Sequence, residues 1–472
     1  MPILVWFRRD LRIDDHPALW HAARTGEPVI PLFIVDQPLI DALPCDGAAF
    51  DFQAEALREL DAALRSRGAR LICRRGDVRA VHAHFIREHQ PSAIYVNRDT
   101  DPAAAPRDHA VRELYKQHGI AVRTFADVTA HEPGEVLTAA GTSYTVFTPY
   151  ARKWKSLPVA GPCSAPKHIT TIELEPGEIP GAHALHRATT ISTPAFHGGC
   201  TTAAKRWRAF LRAKIFTYAE TRDLPAIAGT SGMSAYLRFG CISVRRMFND
   251  CAALQNSVRG RRRESIVKFV DELIWREFYH DVLFHRPQLI ATSFRAAFDA
   301  MPWSRDRSTL DAWKAGRTGV PIVDAGMRQL TTTGWMHNRV RMIVASFLTK
   351  DLMHDWREGQ RYFEEKLLDI DVAANSGGWQ WAASTGVDPR PLRIFNPRLQ
   401  SKKYDPEGAY IRRFVPELRN VPVRYVHAPE AMPVKIQRDA RCLIGSDYPA
   451  PIVDHRAASE AFKRAFAHVK RW

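Results

Sequence analysis

The chain has 472 residues, 45% hydrophobic and 10% aromatic, enough for two or three cores, which excludes a short disulfide scaffold and a disordered tail. Its 7 cysteines are odd in number, scattered and without a Cys-x-x-Cys pair, so neither a metal site nor a disulfide framework is expected, and the cytoplasm is the expected home. The formal charge is +16, yet residues 1–130 hold 17 Lys/Arg against 18 Asp/Glu, so the whole excess lies beyond them and fits either a polyanion partner such as DNA or a solvated basic surface.

After Met1 and Pro2 the chain enters an apolar run with no basic leader or cleavage site. No uncharged apolar stretch long enough to span a bilayer follows, so neither secretion nor a membrane span is expected. Short apolar runs at 3–6, 29–35, 70–74, 93–97 and 122–125 read as strands, with helical periodicity between them, notably over 50–66 and 106–117. That alternation predicts an α/β domain over 1–130, a doubly wound parallel sheet of Rossmann-like type. Residues 131–200 are rich in Pro, Gly, Thr and Ser and read as a connector. Beyond 201 strand signals almost vanish; helical patterns at 201–215, 234–255, 263–284, 308–332, 335–353 and 358–368 predict an all-α domain over 201–472.

Three segments carry candidate chemistry. Glu272, Trp275, Arg276 and Tyr279 recur at one helical face, an acid, a base and two aromatics that fit a cleft lining or an amphipathic seam. Trp335, Asn338, Arg339 and Met342 repeat the pattern, and two such helices could hold a flat polar ring by stacking and edge contacts. The stretch from Asp369 and Asp371 through Asn375 to Trp379 and Trp381 adds carboxylates, an amide, indoles and a glycine pair. Those glycines allow close backbone approach and positive φ, or a tight turn that caps a helix. Residues 229–234, Gly-Thr-Ser-Gly-Met-Ser, could cradle a phosphate at a helix start. Trp303, Trp356 and Trp379 belong to a set of 12 tryptophans, several beyond simple core filling, which could pack or, being oxidisable, pass electrons by hopping.

Read together, Val5-Trp-Phe-Arg-Arg-Asp-Leu-Arg12, Val146-Phe-Thr-Pro149, Glu272-Leu-Ile-Trp-Arg-Glu-Phe-Tyr279, Thr333-Gly-Trp-Met-His-Asn-Arg-Val-Arg-Met342, Asp355-Trp-Arg-Glu-Gly359, Asn375-Ser-Gly-Gly-Trp-Gln-Trp-Ala-Ala-Ser384, Arg393-Ile-Phe-Asn-Pro397 and Tyr448-Pro-Ala-Pro-Ile-Val-Asp-His455 resemble the photolyase/cryptochrome family. The likeness runs from residue 3 to about 455 and is strongest to bacterial class I cyclobutane pyrimidine dimer photolyases. It implies an antenna domain, a linker and a helical domain holding FAD, active in its anionic reduced form. Tyr218, Thr230, Ser231 and Ser234 are then expected at the FAD phosphates, Phe269, Asn338 and Arg341 around the cofactor, Asp369 and Asp371 near its ribityl and ring, and Asn375 by flavin N5. Glu272 is expected to hydrogen-bond a flipped-out dimer and stabilise its radical anion. Trp275, Trp381 and Met342 wall the dimer, with Asn338 beside them, and Arg222, Arg276, Arg339 and Arg393 contact or steer DNA. Trp379, Trp356 and Trp303 match the photoreduction chain.

Two stretches depart from the family pattern. Asp101-Pro-Ala-Ala-Ala-Pro106 stands where folate-binding members carry an Asn-Glu pair, so a folate antenna is not carried over; a deazaflavin, another flavin or an empty pocket stay open. Asp388-Pro-Arg-Pro-Leu-Arg393 replaces a slightly longer loop with an aromatic pair. The resemblance implies UV-damaged DNA as partner, at the nucleoid when bound, and a monomer. Its rivals are a cryptochrome-type blue-light receptor and a (6-4) photolyase, which relies on histidines where Asn338, Arg339 and Met342 stand.

Overall fold

A computed structural model describes residues 1–387 and 392–469, so most of the departing 388–393 loop lies outside the described residues. The chain divides into two compact units that interleave in sequence. Unit 1 comprises 1–189, 196–219 and 231–287; unit 2 comprises 190–195, 220–230 and 288–472.

Unit 1 is built on a five-stranded parallel sheet, β1 (Ile3–Phe7), β2 (Val29–Asp36), β3 (Ile72–Gly76), β4 (Ala93–Asn97) and β5 (Ala121–Phe125), in the order β3-β2-β1-β4-β5. β1 and β4 are buried at every residue, as expected for apolar runs covered by helices on both faces. Ile3 pairs with Val29 on one side and Ala93 on the other, which fixes the register of the central strands. The covering helices are α1 (Pro17–Ala23), α2 (Gly47–Arg65), α3 (Val78–His89) and α4 (Ala104–Gln117). The strand order reverses between β1 and β4, and there the Asn97 side chain donates through Nδ2 to Asp10 at 2.8 Å and accepts Ala18 N–H on Oδ1 at 3.1 Å. The segment after 155 runs along the sheet edge, with Cys73 N–H on Pro176 O at 2.6 Å. Unit 1 continues in α5 (Phe147–Lys155), α6 (Cys200–Arg212), α7 (Val244–Ser257) and α8 (Gly260–His285). The pattern expected over 234–255 breaks at Gly240, where φ is +66° and a Cβ would lie 2.2 Å from Arg9 O.

Unit 2 is helical, with principal helices α9 (Pro321–Thr333), α10 (Asn338–Ser346), α11 (Trp356–Lys366), α12 (Val372–Ala383), α13 (Pro397–Tyr404) and α14 (His455–Val469). Trp313, Val340, Val344, Phe347, Trp356 and Trp379 lie in its core. The 308–332 pattern is two helices, because Gly316 and Gly319 adopt positive φ between Arg307–Lys314 and α9. The 335–353 pattern starts only at Asn338 and leaves through a π-type turn, Phe347–Asp351, a distortion common near functional sites. No helix among the described residues is long and apolar enough to cross a membrane.

Candidate functional site

In unit 1 the site residues ride on α8. Leu273, Ile274, Glu277, Phe278 and Asp281 face inward and are buried, which leaves Glu272, Trp275, Arg276 and Tyr279 half-buried on the opposite side, as their spacing predicts. Trp275 stacks on Phe147 with centroids 3.7 Å apart and planes 6° from parallel, and Tyr279 leans on it at 5.7 Å. Glu272 has Lys268 at 3.7 Å, one turn back. Arg276 donates to Val128 O at 2.8 Å, so part of this expected DNA contact is a structural tie.

Phe147 is anchored from below α8. Glu277 lies under α8 and accepts Ala130 N–H at 2.5 Å and the Trp154 indole N–H at 2.6 Å, tying 130–154 to the helix. Burial pushes its carboxyl up to about 7, against the pull of those donors. A carboxylate on the inward side of an amphipathic helix was the available signal. Tyr218 and Phe269 are buried edge-on at 5.2 Å. Ser231 accepts Met233 N–H at 3.4 Å, and Ser234 opens the short helix Ser234–Arg238 with its side chain exposed.

In unit 2, α10 is capped by His337, whose Nδ1 accepts Arg339 N–H at 3.1 Å. Asn338 and Arg339 both point at Met342 Sδ, at 3.9 and 3.7 Å. Arg339 also pairs with Asp223 at 2.9 Å over the Tyr404 ring, and Arg222 lies 3.6 Å from the same carboxylate. Asp223 and Tyr404 were missed, because residues distant in sequence converge there. Arg341 donates to both oxygens of buried Asp369, at 3.0 and 2.8 Å, and to Met336 O at 2.8 Å.

The glycine pair corrects one expectation. Gly377 and Gly378 sit inside α12 with helical backbone; the turn-and-cap role falls to Asp371, which accepts Ala374 N–H at 3.1 Å. Asn375 is buried and donates to Gln360 O at 3.2 Å and Glu364 at 3.3 Å. Asp371, Ala374, Gly378 and Trp381 form a half-exposed face of α12, and a Cβ built at Gly378 meets no described atom within 4 Å. Trp381 carries the Arg393 guanidinium 5.2 Å from its ring. Trp379 and Trp356 are buried in the unit 2 core and Trp303 packs at its margin; none of the three indole N–H groups has a hydrogen-bond acceptor among the described residues. Thr230 is half-buried at the end of the 220–230 segment.

This donor set fits FAD. Gly378 leaves the half-exposed face of α12 without a side chain at its centre, buried Asp369 and half-buried Asp371 suit hydroxyl and ring N–H donors, and Arg341 is held by Asp369.

Residues 3–167 match the family described as DNA photolyase, and residues 269–468 the FAD binding domain of DNA photolyase. A deoxyribodipyrimidine photo-lyase of Synechococcus is 37% identical over 99% of this chain and 97% of its own. Among solved structures, a bacterial class III photolyase from Agrobacterium tumefaciens superposes with a TM-score of 0.92 at 37% identity, covering 100% of this chain and 98% of that one. A Synechocystis cryptochrome gives 0.91 at 28% identity, covering 98% and 99%. The chain belongs to the photolyase/cryptochrome family and carries both its DNA photolyase domain and its FAD-binding domain.

Proposed function

We propose that this chain splits cyclobutane pyrimidine dimers in UV-damaged DNA under light, as a carbon–carbon lyase. The observation that carries the reading is 37% identity to a deoxyribodipyrimidine photo-lyase over 99% of the chain. In this reading 1–130 is the antenna domain, 131–200 the linker and 201–472 the catalytic domain, acting as a monomer on nucleoid DNA in the cytoplasm.

Bound FAD, held by the residues named below, would supply light-driven one-electron chemistry toward the dimer. The protein must present the dimer outside the duplex, which is easier for a damaged, poorly paired base than for a normal one. Trp275, braced by Phe147, offers an apolar wall, and Trp381 and Met342 offer others. Glu272 hydrogen-bonds the dimer from its half-buried position. Arg222, Arg276, Arg339 and Arg393 hold or steer the flanking phosphates. Tyr218, Thr230, Ser231 and Ser234 bind the cofactor phosphates, while Phe269, Asn338, Arg341, Asp369, Asp371 and Asn375 line its rings. Trp379, Trp356 and Trp303 relay electrons inward by single hops.

The test is dimer loss from UV-irradiated thymine oligomers, in light and in the dark, with the action spectrum showing whether a second chromophore contributes. Glu272→Ala should keep FAD yet lose about 10- to 100-fold in light-driven repair, the worth of one hydrogen bond to a charged group. A wild type that photoreduces but removes no dimer would sink the reading in favour of a receptor.

A further inference from the structure

Six of the basic residues beyond 130 gather at one place in unit 1. Arg212 and Lys214, at the end of α6 and in the turn after it, lie beside Arg259, Arg261, Arg262 and Arg263 at the start of α8, and all are exposed. The junction is fixed: Ser265 donates to Ile215 O at 2.8 Å and accepts Ala219 N–H at 3.0 Å, and the Arg262 guanidinium lies 5.5 Å from the Phe216 ring. None of these cations pairs with a carboxylate among the described residues.

The charge at this helix end works against the fold. The first turn of α8 contains no acid, so its exposed N–H groups face cations of like sign, and Arg259 reaches only the carbonyls of Asn256 and Val258, at 3.3 and 3.2 Å. A cluster of mutually repelling cations on an unfavourable helix end calls for an anionic partner. Position says which one. Arg261 precedes Glu272 by eleven residues, close to three whole turns, so the two share a face of α8 about 16 Å apart along its axis. Along the duplex axis a strand carries one phosphate about every 3.4 Å, so that spacing reaches backbone phosphates up to about five nucleotides from the dimer.

We propose that this cluster is a second DNA contact, which grips the duplex backbone to one side of the lesion independently of the dimer pocket. It rests on the repair reading above and adds a surface to it. Such contacts carry no sequence information and act through salt-dependent counterion release.

The test is dark binding of the holoenzyme to a long duplex with one central thymine dimer, across a salt series. The proteins are wild type, R261A/R262A/R263A and R261K/R262K/R263K. Each lost phosphate contact flattens log K against log salt by about 0.9, so the alanine triple should lose about 2.7 and the lysine triple recover most of it. A dimer-bearing dinucleotide, too short to reach the cluster, should bind all three proteins alike. An alanine triple with the wild-type slope, or one equally weakened on the dinucleotide, overturns the proposal. So does an unchanged DNA slope with lost binding to phosphatidylserine vesicles, which would give the cluster to a membrane surface. Failure of the repair reading shows separately, as no light-driven dimer loss by wild type whatever the slope.

Discussion

Gly359 tests whether Trp379 is rigidly seated. A Cβ there would lie 2.1, 2.4 and 2.6 Å from three carbons of the Trp379 six-membered ring. Carbon atoms ordinarily sit about 3.5–4.0 Å apart, so in Gly359→Ala the indole must retreat by about 1.5 Å. It has little room: Trp379 is 2% exposed, with Phe363 edge-on at 4.9 Å and Trp313 at 6.1 Å. Overpacking of this kind costs about 1–3 kcal/mol, and Ala in place of a helical Gly returns up to about 1. With backbone on one side and packed rings on the other, we expect the upper end, a net loss of about 2 kcal/mol in urea unfolding, and slower light-driven FAD reduction. Gly359→Ala/Trp379→Phe should relieve the clash, so the double variant should be more stable than the summed single losses by about 1 kcal/mol or more. Additive losses, or a Gly359→Ala protein as stable as wild type, would refute the reasoning.

Phe147→Ala removes the stack on Trp275, worth about 0.5–1.5 kcal/mol beyond area, and should weaken binding of dimer-bearing DNA about 3- to 10-fold in filter binding, with undamaged DNA and flavin content unchanged. Equal affinity for the dimer would rule out a bracing role. Asp369→Asn breaks the pair with Arg341 and leaves a half-buried guanidinium uncompensated, costing about 3 kcal/mol. We expect loss of flavin absorbance after gel filtration; full flavin with an unchanged unfolding midpoint would contradict it. His337 gives a pH dependence: burial first, then Arg341, Arg339 and Arg222, hold its imidazole down to about 4 from 6.5, with Asp223 opposing. The unfolded chain therefore takes up the proton first, and this contribution is complete above pH 6.5 and lost as pH falls from 6.5 through 4. His337→Asn keeps a cap acceptor without titrating, so its urea midpoint should change less over that window; a parallel pH profile would assign the acid sensitivity elsewhere.

Much of the fold is legible in the sequence because the signals are local. Apolar runs such as 29–35 and 93–97 became β2 and β4 because a parallel strand is buried on both faces and needs no alternation. The four-residue face of α8 held because helical period alone puts Glu272, Trp275, Arg276 and Tyr279 together. Where glycines interrupt a periodic run the reading ran long: 234–255 and 308–332 each split at a positive-φ glycine that side-chain periodicity does not register. The glycine pair in α12 misled in the opposite sense, since a helix tolerates two glycines when packing holds it.

By itself the sequence determined the fold class, the family, the basic imbalance and the chemical types at the site, since composition, period and motif order are properties of the chain. Only the tertiary structure decided that Phe147 braces Trp275, that Asp223 serves Arg222 and Arg339 together, that Gly359 makes room for Trp379, and that arginines with no carboxylate partner among the described residues crowd the start of α8. Each of these joins residues far apart in sequence or depends on which atoms lack neighbours, and such facts exist only once packing has brought the surfaces together.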